Sequence, residues 1–189
     1  MQYKINEDTG VDYPGDTGGY LLDFDKWSKI HAYNISFGQG VTVTPLQMCR
    51  FYSSLANGGY AKTPHFLMRY LQAERDEEYG EEELIYNKNA IPVMVDMLKG
   101  VLTNGTGTHA NIPGYGIAGK TGTGEISDSN GKYLTGTYYA SFVGFLAEAN
   151  VPMLCFVGGE RVPSEAAVTP VWKDIMSYTI ERLKIASKG

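Results

Sequence analysis

The chain has 189 residues, of which 43% are hydrophobic and 20% charged, and its formal net charge is −5. This composition is ordinary for a globular protein and argues against disorder, collagen or coiled coil as the state of the chain. The slightly acidic balance also argues against a nucleic-acid-binding surface, which needs a basic patch to neutralise phosphates.

Residues 1–43 are predicted to form an extended lead-in to the rest of the fold. They are rich in Gly, Asp and Tyr, and they show little periodicity. The run from Asp12 to Gly19 is predicted to form turns, because Pro presets φ and Gly supplies positive φ. Residues 25–30 could form one or two helical turns. Such a segment is expected to lie over another part of the molecule.

Residues 44–110 are predicted to be the helical part. Thr44-Pro45-Leu46-Gln47 is a capping box with Pro at the first helical position. The apolar residues that follow are spaced as on one helix face until Gly58-Gly59 ends the helix: Met48, Phe51, Tyr52 and Leu55. The acidic run 74–83 is predicted to be a solvated loop or hairpin tip without a binding role. A second helix is predicted from about Ile91 to Leu102.

Residues 111–189 are predicted to form antiparallel strands and a C-terminal helix. The strands cover about 115–123, 137–147 and 151–158, and their short connections require antiparallel neighbours. The helix covers about 168–186, and its predicted apolar stripe should cover one face of the sheet: Val168, Trp172, Ile175, Met176, Thr179 and Leu183. An antiparallel sheet packed with helices gives an α/β sandwich of the segregated, α+β type.

The cysteines, histidines and apolar runs suggest no special chemistry. Cys49 and Cys155 are interpreted as small buried hydrophobic residues. The three histidines are scattered without ligand spacing, so neither a zinc site nor any other metal or cofactor site is predicted. No apolar run approaches the roughly 20 residues that span a bilayer, and the N-terminus lacks the apolar stretch of a signal peptide.

A phosphate-binding loop is one interpretation of the segment from Gly114 to Thr121, which matches G-x-x-x-x-G-K-[ST]. That loop works only when a strand precedes it and a helix begins at the Lys. Asn111-Ile112-Pro113 makes a poor strand, and Gly122-Thr123-Gly124 makes a poor helix start. Nucleotide binding is therefore disfavoured.

Lys120-Thr121-Gly122-Thr123 supports a second interpretation, since a K-T-G triplet occurs in penicillin-binding proteins and class A β-lactamases. A cation on an edge strand can hold a substrate carboxylate, and neighbouring hydroxyls can share it. Glycine lets the substrate lie flat against the strand. A free N–H at the strand edge can donate to a developing oxyanion.

Further short motifs surround this one in a fixed order: Gly38-Gln39-Gly40, the Thr44 capping box, Leu55-Ala56-Asn57-Gly58-Gly59, Gly105-Thr106-Gly107-Thr108, Pro113-Gly114 and Ala140-Ser141-Phe142-Val143-Gly144. The series resembles the C-terminal half of the transpeptidase domain of class B penicillin-binding proteins. The resemblance runs from about Thr9 to the final helix. It implies that residues 1–189 are the C-terminal part of one such domain.

The resemblance implies a D,D-transpeptidase that cross-links peptidoglycan stem peptides through an acyl-enzyme and that β-lactams acylate. Lys120, Thr121 and Gly122 would belong to its third motif. Thr123 would bind the substrate or β-lactam carboxylate through its hydroxyl and donate its N–H to the oxyanion hole. The parent protein would work with the elongation or division machinery on the extracytoplasmic side of the cytoplasmic membrane, with its anchor outside this chain.

The family's nucleophile, a Ser in S-x-x-K at a helix start, is not found here, and neither is its S-x-N motif. The one Ser three residues before a Lys is Ser129, in the turn-like sequence Ser129-Asn130-Gly131-Lys132. No catalytic residue is therefore assigned: the nucleophile is expected upstream, and the chain is predicted to be inactive alone. The alternative is a non-catalytic β-lactam-sensing module, whereas the sequence around Gly38 and Thr44 disfavours a class A β-lactamase.

Two further expectations concern substrate recognition and assembly. Gly124-Glu125 stands where many relatives carry Ala-Gln, and Glu125 adds an anion near the carboxylate-binding residues. The strand over 151–158 is expected to have an apolar edge without a Lys or a bulge to protect it. The chain is therefore predicted to self-associate, by pairing at this edge or by exchanging its first 40 residues.

Overall fold

The computed structural model describes residues 4–72, 74–164 and 166–188. Single turns of 3-10 helix lie at Phe24–Lys26 and Thr108–Ala110. The other elements, in chain order, are β1 (Tyr20–Leu21), α1 (Lys29–Ser36), β2 (Val41–Thr42), α2 (Pro45–Ala56), β3 (Tyr60–Lys62), β4 (Arg69–Tyr70), β5 (Arg75–Asp76), β6 (Glu81–Glu83), α3 (Ala90–Thr103), β7 (Ile117–Ser127), β8 (Tyr133–Leu146), β9 (Leu154–Val162) and α4 (Val168–Leu183).

The helical turns expected over residues 25–30 correspond to the 3-10 turn Phe24–Lys26 and the start of α1. Helix α1 continues to Ser36, within the segment predicted to be an extended lead-in. Ser28 caps it: its hydroxyl accepts from the His31 N–H, and the His31 ring accepts from the Ser28 N–H. No residue of α1 is buried. Its apolar residues Ile30, Tyr33 and Ile35 lie around the helix and not on one face, so periodicity could not reveal it.

Helix α2 begins as the capping box predicts. The Thr44 hydroxyl accepts from the Gln47 N–H at 3.2 Å, and Gln47 Oε1 accepts from the Thr44 N–H at 3.0 Å. Pro45 occupies the first helical position. Gln47 also donates through Nε2 to the carbonyls of Ile5, at 2.8 Å, and Glu7, at 3.0 Å. The cap of α2 therefore also holds the lead-in segment in place.

The acidic run 74–83 contains β5 and β6, which pair with β4 and β3 respectively. Glu82 has a structural role that its sequence context did not predict. Its carboxylate lies 2.8 Å from Lys4 Nζ and 2.6 Å from Arg50 Nη2. The hydrogen bond from Lys4, helped by the bond from Arg50, holds the pKa of Glu82 below its usual value.

The predicted α+β architecture is confirmed, with a three-stranded antiparallel sheet in the order β7-β8-β9. Helix α4 packs on one face, where the rings of Phe142 and Trp172 make an edge-to-face contact at 5.1 Å. Helices α2 and α3 pack on the other face, where Leu55 and Leu98 meet Val143 in a second cluster. The sheet therefore lies between two helical layers.

The predicted stripe of α4 is partly wrong. Five residues of the helix are buried: Val168, Thr169, Trp172, Met176 and Ile180. Ile175 is 44% exposed and Leu183 is 59% exposed. The buried residues recur at intervals of four along the helix. The angle at which the helix crosses the sheet decides which of its apolar rows is buried.

Both outer strands of the sheet leave one side unpaired within the described residues. The expected absence of a bulge over residues 151–158 is confirmed for the paired part of that range, but β9 continues to Val162 and carries an irregularity beyond it. Ala140 pairs with Gly159, whereas Tyr138 pairs with Val162, so β9 carries one extra residue there. Arg161 adopts a positive φ of 57° at this irregularity. From Leu154 to Gly158 the edge is regular.

Candidate functional site

Strand β7 presents its backbone at the edge of the sheet. The Leu146 N–H donates to the Met153 carbonyl at 3.0 Å, so Leu146 directs its backbone groups away from β7. In an antiparallel ladder this direction alternates from residue to residue. The β7 residues opposite Phe142 and Ala140, which are Thr121 and Thr123, therefore direct their N–H and C=O groups away from β8.

A cleft of about 750 Å³ lies along this free edge. All four residues of the predicted motif, Lys120 to Thr123, line it. The opposite walls come from the end of α1 and the residues after it, from the segment after α3 and from the residue two positions before α4. These residues are Ser36, Phe37, Gly38, Gln39, Gly105, Thr106, Thr108, His109 and Ala166. The structure thus brings together motifs that are widely separated in the sequence.

Several residues of the cleft were not assigned to the site from the sequence. Gln39 and Thr106 belong to motifs that carried the family resemblance, so the resemblance contained a signal for them. His109 belongs to no such motif. Its place in the cleft depends on the 3-10 turn after α3, which no periodicity marks.

Lys120 is exposed at the cleft. Its ammonium donates to the Thr121 carbonyl at 2.8 Å and lies 3.4 Å from the Thr121 hydroxyl, and it has no other polar partner in the part of the chain that the structure describes. An ammonium has three donors. Lys120 can therefore donate to an anion in the cleft.

The segment after α3 is tied to β7 by a hydrogen bond of 2.6 Å between the hydroxyls of Thr106 and Thr121. Gly105 makes the tight path of this segment possible. A Cβ at Gly105 would lie 2.9 Å from the Cα and the carbonyl oxygen of Val101. The bond fixes the Thr121 side chain and one wall of the cleft.

Lys120 and Gly122 also border a smaller, mostly apolar cavity of about 360 Å³ on the α2 side of the sheet. A Cβ at Gly122 would lie 2.6 Å from the hydroxyl of Ser141, its cross-strand partner. Lead-in residues such as Ile5 and Val41 form part of its walls. The motif strand therefore has open space on both faces.

The predicted strand placement of Lys120-Thr121-Gly122-Thr123 is confirmed, because β7 runs without interruption from Ile117 to Ser127. No helix begins at Lys120, so the phosphate-binding-loop interpretation is wrong. A β-strand has no helix N-terminus at which amides could converge on a phosphate.

Ser129 and Lys132 lie in a turn between β7 and β8, as predicted. The Asp128 carboxylate closes this turn by accepting from the N–H groups of Asn130, at 2.8 Å, and Lys132, at 2.9 Å. Neither Ser129 nor Lys132 lines the cleft. A nucleophile and its base need to be held on one surface facing the substrate. This turn does not provide that arrangement.

The thiols are poor candidates for nucleophiles. Burial, with a smaller effect from Cys155, raises the pKa of the Cys49 thiol to about 11. Burial also raises the pKa of Cys155. Both are thus protonated at neutral pH.

Across residues 4–72, 74–164 and 166–188, no three His, Cys, Asp or Glu side chains converge as metal ligands. None of the helices described has the length and apolar character needed to cross a membrane.

Comparison with known proteins agrees with the fold. Stage V sporulation protein D of Bacillus subtilis (strain 168) is 31% identical over 157 residues, which are 80% of this chain and 24% of that protein. Peptidoglycan D,D-transpeptidase FtsI of Buchnera aphidicola subsp. Baizongia pistaciae is 29% identical over 194 residues, covering 95% of this chain and 32% of that protein. The chain therefore spans about a quarter to a third of these curated relatives.

Among solved structures, penicillin binding protein 3 from Mycobacterium tuberculosis, complexed with ampicillin, matches with a TM-score of 0.83 and 25% identity. The match covers 97% of this chain and 44% of that chain. The family model described as the penicillin binding protein transpeptidase domain matches residues 1–177. The chain belongs to the family of penicillin-binding-protein transpeptidase domains.

Proposed function

We propose that this chain forms the β7 side of the substrate- and β-lactam-binding cleft of a peptidoglycan D,D-transpeptidase. The observation that carries the proposal is the position of Lys120, Thr121, Gly122 and Thr123 on a free strand edge that lines a large cleft. A relative is named as a D,D-transpeptidase, and a structural relative holds ampicillin. The stem peptide and the β-lactam both carry a carboxylate close to the carbonyl that reacts.

The motif residues have distinct roles in this proposal. The Lys120 ammonium and the hydroxyls of Thr121 and Thr123 bind the carboxylate, because charge-assisted hydrogen bonds are the strongest available to it. The Thr123 N–H, directed away from β8, donates to the oxyanion that develops when the carbonyl is attacked. Gly122 presents no side chain, so the substrate can lie along the strand.

The reaction we propose for the parent protein is acyl transfer through a serine ester. A serine attacks the stem-peptide carbonyl and the terminal D-residue leaves, and the amine of a second stem peptide then takes the acyl group. We place the serine and its base outside these 189 residues, which contain no Ser-x-x-Lys on a helix and no Ser-x-Asn. The parent would act at the cell envelope, on the outer side of the cytoplasmic membrane, with the elongation or division machinery.

A fluorescent penicillin tests both the proposed binding cleft and the proposed inactivity of the chain alone. Fluorescence anisotropy should show reversible binding to the chain, about 10- to 100-fold weaker in Lys120→Ala, because hydrogen bonds to charged groups contribute about 1.5–3 kcal/mol. Lys132→Ala, in the turn outside the cleft, is the control and should bind as the wild type does. Binding that is unaffected by Lys120→Ala would contradict the carboxylate site.

A denaturing gel of the same samples tests whether the chain acylates. No fluorescent band should survive denaturation, since no nucleophile–base pair is positioned in the described residues. A band that survives, and that disappears in Ser129→Ala, would show that the turn between β7 and β8 supplies a nucleophile after all.

The absence of a positioned nucleophile also fits a second candidate function, a non-catalytic module that senses β-lactams through the same cleft. The two candidates predict the same reversible binding. They differ in what precedes Met1 in the gene: a Ser-x-x-Lys motif there would support the transpeptidase, and a reading frame without one would support the sensor.

A further inference from the structure

One wall of the cleft is formed by the segment after α3. This wall contributes the hydroxyls of Thr106 and Thr108 and the imidazole of His109. Among the residues that line the cleft, Lys120 and His109 are the two whose side chains can carry a charge, and both charges are positive. The lining of the cleft therefore contains no acidic side chain that would repel an anion.

Three contacts fix this wall relative to the motif strand. The hydroxyls of Thr106 and Thr121 share a hydrogen bond of 2.6 Å. A Cβ at Gly107 would lie 3.2 Å from the ring of Phe142, the β8 residue that pairs with Thr121. Ala110 is fully buried in the same cluster as Phe142. The backbone of the 3-10 turn is thus held at a set position beside β7.

The side chain of His109 is directed away from the core. His109 is the central residue of the turn Thr108–Ala110, and successive side chains of a 3-10 helix are about 120° apart around its axis. Because Ala110 is in the core, its neighbour is turned elsewhere, and His109 is exposed at the cleft. Three residues separate it from Thr106, so the two Cα atoms are at most about 11 Å apart. The imidazole and a group bound at Thr121 therefore occupy the same part of the cleft.

The imidazole of His109 has unused hydrogen-bonding capacity. It makes no hydrogen bond or ion pair with any residue that the structure describes. The other two histidines are engaged, since the His31 ring accepts from the Ser28 N–H and the His65 ring stacks on Tyr79 at 3.9 Å. A neutral imidazole has one N–H donor, and a protonated one has two. His109 is thus available to a ligand in the cleft.

An imidazolium beside an ammonium group is an arrangement that recognises an anion. Hydrogen bonds between ionised partners are stronger than those between neutral ones, so a carboxylate gains most when both cations are present. Histidine changes its charge between pH 5 and 8, whereas carboxylates and ammonium groups ordinarily keep theirs across that range. An anion held by Lys120 therefore acquires a second positive partner as the pH falls.

The other charged groups of the surrounding elements lie outside the cleft lining. The turn packs against α3 and α4, and the cleft is also bounded by β7 and the end of α1. The side chains of these elements that are charged, or that change charge between pH 5 and 8, are Lys29 and His31 on α1, Asp96 and Lys99 on α3, Lys120 and Glu125 on β7, and Lys173, Asp174, Glu181 and Arg182 on α4. Of these, only Lys120 lines the cleft. The charge of the lining therefore changes with pH through His109.

We propose that His109 is a second anion-binding residue of the cleft, and that its protonated imidazole strengthens the binding of the substrate or β-lactam carboxylate held at Lys120. The cleft then selects anionic ligands more strongly at mildly acidic pH than at alkaline pH. This inference rests on the proposed function, because the Lys120 site fixes where the carboxylate lies. It adds a binding residue from outside the motif strand and a dependence of binding on pH.

A penicillin that carries an uncharged fluorescent dye tests the inference. Fluorescence anisotropy measures its dissociation constant with the full chain at pH 5.5 and at pH 8. The wild type should bind about three- to five-fold more tightly at the lower pH, the size expected of a partly exposed ion pair. The methyl ester of the same penicillin has no carboxylate charge, so its weaker binding should be equal at the two pH values.

Three variants locate the effect. His109→Gln should bind at both pH values as the wild type does at pH 8. His109→Lys keeps a positive charge at both and should bind as tightly as the wild type does at pH 5.5. His109 is exposed, so neither change removes packing from the core. His65→Gln replaces a histidine outside the cleft and should leave the pH dependence intact.

The outcomes separate this inference from the proposed function. Equal affinity of the wild type at the two pH values, or a pH dependence that survives His109→Gln, would overturn the role of His109 and leave the carboxylate site at Lys120 standing. If Lys120→Ala binds the penicillin as tightly as the wild type does, the carboxylate site is wrong and the role of His109 is wrong with it.

Discussion

Gly119 is a residue of β7 at which a side chain would meet neighbours that cannot easily move. A Cβ there would lie 2.7 Å from Phe142 Cζ and from the Val143 carbonyl oxygen. Phe142 is fully buried and packs edge-to-face on Trp172, so it has little freedom to move. We predict that Gly119→Ala lowers the free energy of unfolding by about 1–3 kcal/mol through overpacking, as measured by urea denaturation.

Gly124→Ala is the matched control for this prediction, because the position lies on the same strand. Its added Cβ would meet nothing closer than Tyr139 Cβ at 3.8 Å, an ordinary van der Waals contact. Its effect should stay within about 1 kcal/mol. Similar losses of stability in the two variants would contradict the packing argument.

Asp12 ties the lead-in to the segment after β3. Its carboxylate accepts from the N–H of Leu67 at 2.8 Å, the N–H of Phe66 at 2.7 Å and the hydroxyl of Tyr79 at 2.8 Å. These bonds, led by the one from Leu67, hold the pKa of Asp12 below its ordinary value of 3.8. The folded state therefore favours the ionised carboxylate more than the unfolded state does.

The pH dependence of stability checks this arrangement. Because the folded-state pKa is depressed, the contribution of Asp12 is fully present above pH 3.8 and is lost as the pH falls through the folded-state pKa. Asp12→Asn should therefore be less stable than the wild type at pH 6, and the difference should shrink at pH 2.5. A difference that is the same at both values, in urea denaturation, would contradict it.

At the scale of single elements, α2 depends on its first turn. We predict that Thr44→Ala lowers the free energy of unfolding by about 1 kcal/mol, because the Gln47 N–H loses its hydroxyl acceptor. Thr44→Ser keeps the hydroxyl and should lose much less. Thermal unfolding followed by circular dichroism measures both, and equal effects of the two variants would show that the cap does not stabilise the helix.

At the scale of the whole molecule, the unpaired edge of β9 is the feature that bears on assembly. The Met153 carbonyl faces β8, so by alternation the backbone groups of Leu154, Phe156 and Gly158 face away from it. No strand within the described residues covers them. A regular edge with apolar side chains is a template for pairing with another chain. We predict that a second copy pairs there, giving self-association at micromolar concentration.

Light scattering on a size-exclusion column tests this prediction over a dilution series. Hydrogen exchange locates the contact: the amides of Leu154, Phe156 and Gly158 should become protected as concentration rises. The amides of Cys155 and Val157, which face β8, serve as an internal control and should not change. A monomer of 20.8 kDa at all concentrations would contradict the prediction.

The sequence by itself determined the features that depend on neighbouring residues. The Thr44 cap, the strand character of the segment around Lys120 and the α+β order of elements all follow from local hydrogen bonding and from periodicity. The motifs at Gly38, Gly105 and Lys120, in that order, were sufficient to identify the family, because the order of motifs can be read directly from the sequence.

Only the tertiary structure decided the features that depend on distant partners. The apolar residues of α1 lie on more than one face, so its sequence has no helical period. The sheet, not the helix, selected Ile180 over Leu183 as a buried residue of α4. Chain packing made Glu82 a partner of Lys4, and strand register placed Glu125 opposite Tyr138. Local sequence specifies backbone preferences, whereas these contacts join residues distant along the chain, and packing and strand pairing alone determine which of them meet.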